Sequence, residues 1–134
     1  MRIAVVCVPS QRKAAPDYVQ ALAKGMESMG HHVEIIDAWT DDGYKLPSFE
    51  YIAVVAESLS FFSSTMPSAL SKVLSAASVT GKKSAAFLKK GGLFGAKALA
   101  KLMRAMEKEG MYINWSDVIL NAAQAEALGK RIGA

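Results

Sequence analysis

The sequence predicts an α/β fold, a five-stranded parallel sheet of order 2-1-3-4-5 with helices on both faces, and three observations carry that reading. Five short apolar runs alternate with stretches of helical periodicity along 134 residues. The first and third runs carry apolar side chains on both faces, as central strands covered by helices require. Proline or glycine punctuates most of the joins between runs. Strands that alternate with helices build a doubly wound sheet through right-handed crossovers. The commonest order for five such strands places the switch point, where ligands bind, between strands one and three.

In order, the first strand is Arg2 to Val8, stopped at Pro9. From Pro16 to Met29, Val19, Leu22 and Met26 recur at helical spacing, with Asp17, Gln20, Lys24 and Glu27 opposite. Pro16 suits the first helical position and Gly30 the end. His32 to Trp39 alternates, with Val33 and Ile35 inward and Glu34 outward, which suits a strand nearer a sheet edge. The turn TDDGYKLPS leads to a third strand, Tyr51 to Ala56. A helix follows from Pro67 to about Ala77, with Leu70, Val73 and Leu74 on one stripe. Ser84 to Leu88 is the fourth strand. The next helix has the clearest amphipathic pattern: Leu99, Leu102, Met103 and Met106 oppose Lys97, Lys101, Arg104 and Lys108, and Gly110 ends it. Met111 to Trp115 reads as the fifth strand, with Asp117 to Leu120 continuing it or returning beside it. Ala122 to Ile132 forms the last helix.

Composition narrows the class. A chain of this length fits one domain, residues 1–134, able to bury a core without disulfides or metal. With 51% apolar and 21% charged residues it is globular, neither disordered nor fibrous. Its net charge of +4 favours anionic partners weakly. That falls short of the basic stripe of a nucleic-acid binder. The lone Cys7 excludes an intramolecular disulfide and suits a reducing compartment. No apolar run approaches the roughly 20 residues of a membrane span. The start, MRIAVVCV, breaks at Pro9 and meets Arg12 and Lys13, so it reads as a strand and not as a signal sequence. The expected location is cytoplasmic.

The loops that meet at the predicted crevice are Pro9 to Ala15, Glu57 to Met66 and Lys89 to Gly95. The segments FFSSTMPSALSKVL and TGKKSAAFLKKGG within and beside them resemble the flavodoxin-like flavoproteins, and among these the small NAD(P)H-dependent FMN reductases more than the flavodoxins proper. The resemblance spans the chain in element order and spacing. It implies an FMN with its phosphate on the first loop and its isoalloxazine ring held by the other two. The cofactor-binding residues it points to are Ser10, Gln11, Arg12 and Lys13; Ser60, Phe61, Phe62, Ser63 and Ser64; and Lys90, Gly91 and Gly92. The first loop is degenerate. Against the reductase pattern Gly-Ser-x-Arg-x-x-Ser, Ser10 and Arg12 fall in place, whereas Pro9 replaces the glycine and Ala15 the last serine. Arg12 can bind phosphate oxygens in bidentate fashion. Pro16 removes a backbone donor near the helix start, and Asp17 sets a carboxylate there. The related reductases commonly dimerise, and the aromatic loop is compatible with a homodimer.

Taken without the resemblance, Ser10 to Lys13 is equally an ordinary solvated turn. Phe61 and Phe62 equally pack on their own domain or in a dimer interface. Gly91 and Gly92 equally just end a strand. Cys7 and the helical methionines belong to the core. His31 and His32 lack the companions of a metal site. There is no nucleophile elbow, Walker loop or carboxylate pair, so any reactive chemistry belongs to a cofactor. The expected function is FMN binding, with a nicotinamide donor and a small-molecule acceptor if the protein is a reductase. The alternative is a flavodoxin-like domain that has lost flavin and serves as an interaction or regulatory module. A weaker third reading is a site for another phosphate-bearing ligand.

Overall fold

The structure, a computed structural model, describes residues 1–11, 15–60, 62, 64–76 and 78–132. In chain order the elements are β1 (Arg2–Val8), α1 (Asp17–Ser28), β2 (His32–Asp37), a 3₁₀ turn (Leu46–Ser48), β3 (Tyr51–Ala56), α2 (Ser68–Ser75), β4 (Lys83–Lys89), α3 (Gly95–Lys108), β5 (Tyr112–Ile119) and α4 (Ala122–Gly129). All four strand pairings are parallel, and the order is β2-β1-β3-β4-β5. This is the predicted topology, with its switch point between β1 and β3.

Strand pleating sorts the core into two layers. Ile3, Val5 and Cys7 of β1 face α1 and α4, while Ala4, Val6 and Val8 face α2 and α3. Val19, Leu22 and Met26 of α1 and Ala125 and Leu128 of α4 complete the first layer. Leu70, Val73 and Leu74 of α2 and Leu102 and Met106 of α3 complete the second. Each such side chain taken from water contributes about 1.5–3 kcal/mol before the ordering cost. α1 and α4 touch backbone to backbone. A Cβ on Gly25 would collide with the Glu126 carbonyl, and one on Gly129 with the Leu22 carbonyl, so only glycine permits this approach.

The structure departs from the sequence expectations at several points. In β2 the inward residue is Ile36, 2% exposed, and not Ile35, which is 36% exposed. Val6 pairs with Ile36 and lends it the α2–α3 layer, whereas the α1 face covers the sheet edge incompletely at Ile35. β2 stops at Asp37, and Trp39 turns back to donate its Nε1–H to the Pro9 carbonyl at 2.8 Å. β5 is one continuous strand from Tyr112 to Ile119, so the returning arrangement is ruled out. Its alternation is reset by a bulge: Ser84 pairs with Ile113 and Ala85 with Trp115, leaving Asn114 as the extra residue. Pro16 and Pro67 stand just outside their helices in extended conformation. α4 ends at Gly129, short of Ile132, and the expected end of α2 near Ala77 lies outside the described residues.

Candidate functional site

A cleft of about 330 Å³ opens at the C-terminal ends of β1, β3 and β4, lined by Ser10, residues 57–60 and residues 89–92. The register explains why these three loops converge. Val8 pairs with Ala56, and Ala56 pairs with Leu88, so the three strands end level and their loops leave side by side. The 57–66 loop folds back on itself, with the Leu59 N–H donating to the Thr65 carbonyl at 2.8 Å. The 89–92 turn is tied to the neighbouring strand by the Lys90 N–H, which donates to Ile119 O at 2.9 Å. The surrounding loops hold large apolar side chains in solvent, Leu59, Phe62, Leu93 and Phe94, of which Phe62 is 75% exposed. Exposed apolar side chains on the loops that border a cleft make it a candidate binding site.

Among the lining residues, Glu57 ties the β3 end to both β1 and α1. Its N–H continues the β1–β3 ladder by donating to Val8 O at 3.0 Å, which fixes where its side chain starts. Its Oε1 accepts the Ser10 N–H at 2.8 Å, and its Oε2 accepts the Tyr18 O–H at 2.6 Å. Burial, followed by this hydrogen bond and the nearby Glu57 charge, pushes the Tyr18 hydroxyl well above the ordinary tyrosine range. The Lys89 ammonium lies over the Tyr18 ring, 5.6 Å from its centroid, and donates to Lys90 O at 3.1 Å. One tyrosine from α1 thereby joins the ends of β3 and β4.

Of the residues predicted from sequence, Ser10, Ser60, Lys90, Gly91 and Gly92 line the cleft. Gln11, Phe62 and Ser64 stand outside its lining; Gln11 and Phe62 are exposed, and Ser64 is buried. Arg12, Lys13, Phe61 and Ser63 lie outside the described residues. Sequence reasoning placed Glu57 and Lys89 at the starts of crevice loops without naming them as site residues, and it missed Tyr18, which holds Glu57 without lining the cleft. The available signal was a carboxylate placed directly after the all-apolar third strand, at a strand C-terminus on the switch point.

Gly91 behaves unlike the helix-seam glycines. Its φ is not positive, and a Cβ there would meet no heavy atom within 4 Å. Neither backbone conformation nor internal packing therefore demands glycine at this place on the cleft wall.

This architecture is the flavodoxin fold. The chain superposes on an archaeal flavodoxin with a TM-score of 0.74 at 20% identity, covering 98% of this chain and 96% of that one. A flavodoxin of Streptococcus pneumoniae TIGR4 matches with a TM-score of 0.71 at 14% identity, covering 96% and 95%. A flavodoxin-like domain of a Synechococcus protein matches with a TM-score of 0.65 at 19% identity, covering 98% and 95%. No protein-family model matches the sequence, and no curated protein does. No helix among the described residues is long and apolar enough to cross a membrane.

Proposed function

We propose that the protein binds FMN in the cleft between the β1, β3 and β4 loops and acts as a cytoplasmic NAD(P)H-dependent flavin oxidoreductase. The observation that carries this reading is the cleft itself: three loops converge at the switch point of a flavodoxin fold, beneath an exposed apolar rim. Its volume of about 330 Å³ falls at the lower end of small-molecule sites, and an open cleft suits a ring held at its edge. The unfilled space beside Gly91 fits close approach of a flat ligand to main chain. Leu59 of the cleft lining, and Phe62 exposed on the same loop, would cover ring surface, an aromatic contact contributing about 0.5–1.5 kcal/mol beyond burial. Backbone groups of the 57–66 loop would orient the polar ring edge.

When bound, the flavin supplies hydride and electron transfer; the chain supplies orientation and partial exclusion of water. The resemblance of the SQR segment at Ser10–Arg12 to the reductase pattern, with the net charge of +4, favours a reductase over an acidic electron carrier. Two measurements test the reading. Purified protein should carry flavin absorption or quench the fluorescence of added FMN, and the loaded protein should oxidise NADH or NADPH. A colourless protein that leaves FMN unquenched at high micromolar concentration would remove the reading. One observation favours a second reading, a flavodoxin-like interaction module without flavin: the Ser10 N–H at the first loop is already bonded to the Glu57 carboxylate.

A further inference from the structure

The first loop after β1 is the place where a flavin phosphate would be received, and a phosphate is held by N–H donors. The first described N–H of that loop, that of Ser10, points at Glu57 Oε1 at 2.8 Å. The carboxylate is not there by chance of rotamer. Its backbone is fixed to the end of β1 through Val8 O, and its second oxygen is held by Tyr18 at 2.6 Å, from a side chain that is itself buried. Both carboxylate oxygens are thus engaged by groups from β1's loop and from α1. We infer that Glu57 is an internal competitor for the phosphate of a bound flavin, and so the residue that sets how the site divides between phosphorylated and unphosphorylated flavin. The inference rests on the flavin reading above.

The reasoning is electrostatic and steric together. A phosphate carries close to two negative charges at neutral pH. To reach the Ser10 N–H it must expel the carboxylate or sit within a few ångströms of it, and like charges at that range oppose each other. Riboflavin shares the ring and ribityl chain but brings no charge to this end. Glu57 therefore penalises FMN selectively and leaves ring binding alone. Replacement by glutamine removes the charge and keeps one oxygen, able to accept from Ser10 or from Tyr18 but not from both.

The test compares the two flavins in the natural protein and in Glu57→Gln by fluorescence quenching. The expected result is that FMN binds the natural protein no more tightly than riboflavin. Glu57→Gln should then tighten FMN roughly tenfold, the scale of one like charge removed from a partly solvated site, with riboflavin unchanged within about twofold. A substitution that moves both flavins together, or neither, overturns the inference. If Glu57→Gln does not fold, the natural protein still decides: FMN bound at least tenfold more tightly than riboflavin overturns the inference, and near-equal affinities support it. A protein that binds neither flavin sinks the functional reading, and inorganic phosphate then tests Glu57 separately. In amide NMR spectra the Ser10 signal should stay in place in the natural protein and shift saturably in Glu57→Gln. Saturable movement of that signal in the natural protein at low millimolar phosphate overturns the inference.

Discussion

A Cβ placed on Gly25 or Gly129 would run into main-chain oxygen of the opposing helix, whereas one placed on Gly91 would meet open space. The same residue type is used for opposite ends. At the α1–α4 seam glycine lets two helices close until nothing else fits between them. On the cleft wall glycine keeps a place empty that the fold has no need to leave empty. The contrast separates a glycine that close packing demands from one that neither packing nor backbone conformation demands. It also shows why a glycine in a sequence says little until its neighbours in space are known.

The largest expected effect breaks the seam. Gly25→Ala should lower the unfolding free energy by about 3 kcal/mol, the upper range for overpacking a close contact, read as a shift of the denaturant midpoint. Loss below about 1 kcal/mol would mean that α4 yields easily.

The same face carries Tyr51, only 4% exposed, whose hydroxyl donates to Asn114 Oδ1 at 2.6 Å. Burial pushes its hydroxyl up to about 12, from an ordinary value of 10.0. The unfolded chain then releases this proton near pH 10 while the folded chain retains it to about 12. Stability is therefore fully present below pH 10 and falls as pH rises from about 10 to 12, by roughly 2–3 kcal/mol. Tyr51→Phe should make that alkaline limb shallower in pH-dependent denaturation, with Tyr18, which is also raised, keeping its share.

A smaller effect probes how α4 reaches the seam. The Asn121 side chain caps α4 by accepting the Gln124 N–H at 2.9 Å. Asn121→Ala should cost about 1 kcal/mol in the same assay.

The least effect on stability, and the sharpest on function, belongs to Gly91→Ala. It should change unfolding free energy by less than about 0.5 kcal/mol, as expected of an open surface position. It should nevertheless weaken riboflavin and FMN binding alike in fluorescence titrations. Equal stability with unchanged binding would show that the space beside Gly91 is not ligand space.

Much of the fold was legible because its signals are local. β1 and β3 were readable to the residue: each is apolar on both faces, and Pro9 or Glu57 ends the run. β2 is readable as an edge strand and Val33 packs on the α1 side as expected, yet Ile35 is exposed and the fully buried residue is Ile36. Which face of an edge strand is covered depends on its neighbour's register and on where α1 ends, and neither is written in the strand's own six residues. In β5 the run Ile113 to Ser116 alternates apolar and polar without a break, and only pairing with β4 shows that the strand absorbs Asn114 as an extra residue and continues.

The cleft was legible as a place, since topology brings three loops together. Glu57 was not legible as the side chain that ties the β3 end to β1 and α1. That role arises from Val8 standing opposite Ala56, which sets the Glu57 carboxylate beside the Ser10 N–H, and from a helical tyrosine arriving underneath. Cross-strand register and helix rotation are long-range outcomes, so a single sequence carries only a hint of them.

The seam between α1 and α4 also bears on how the chain comes to be made. α1 is synthesised well before α4, with β2, β3, α2, β4, α3 and β5 between them, yet each is the other's partner across Gly25 and Gly129. Until α4 has left the ribosome, part of the apolar layer formed by Tyr18, Val19, Leu22 and Ile119 lacks the cover that Ala125 and Leu128 later provide. Until α4 docks, apolar surface beside α1 therefore stays open to other copies, and the docking of α4 covers it.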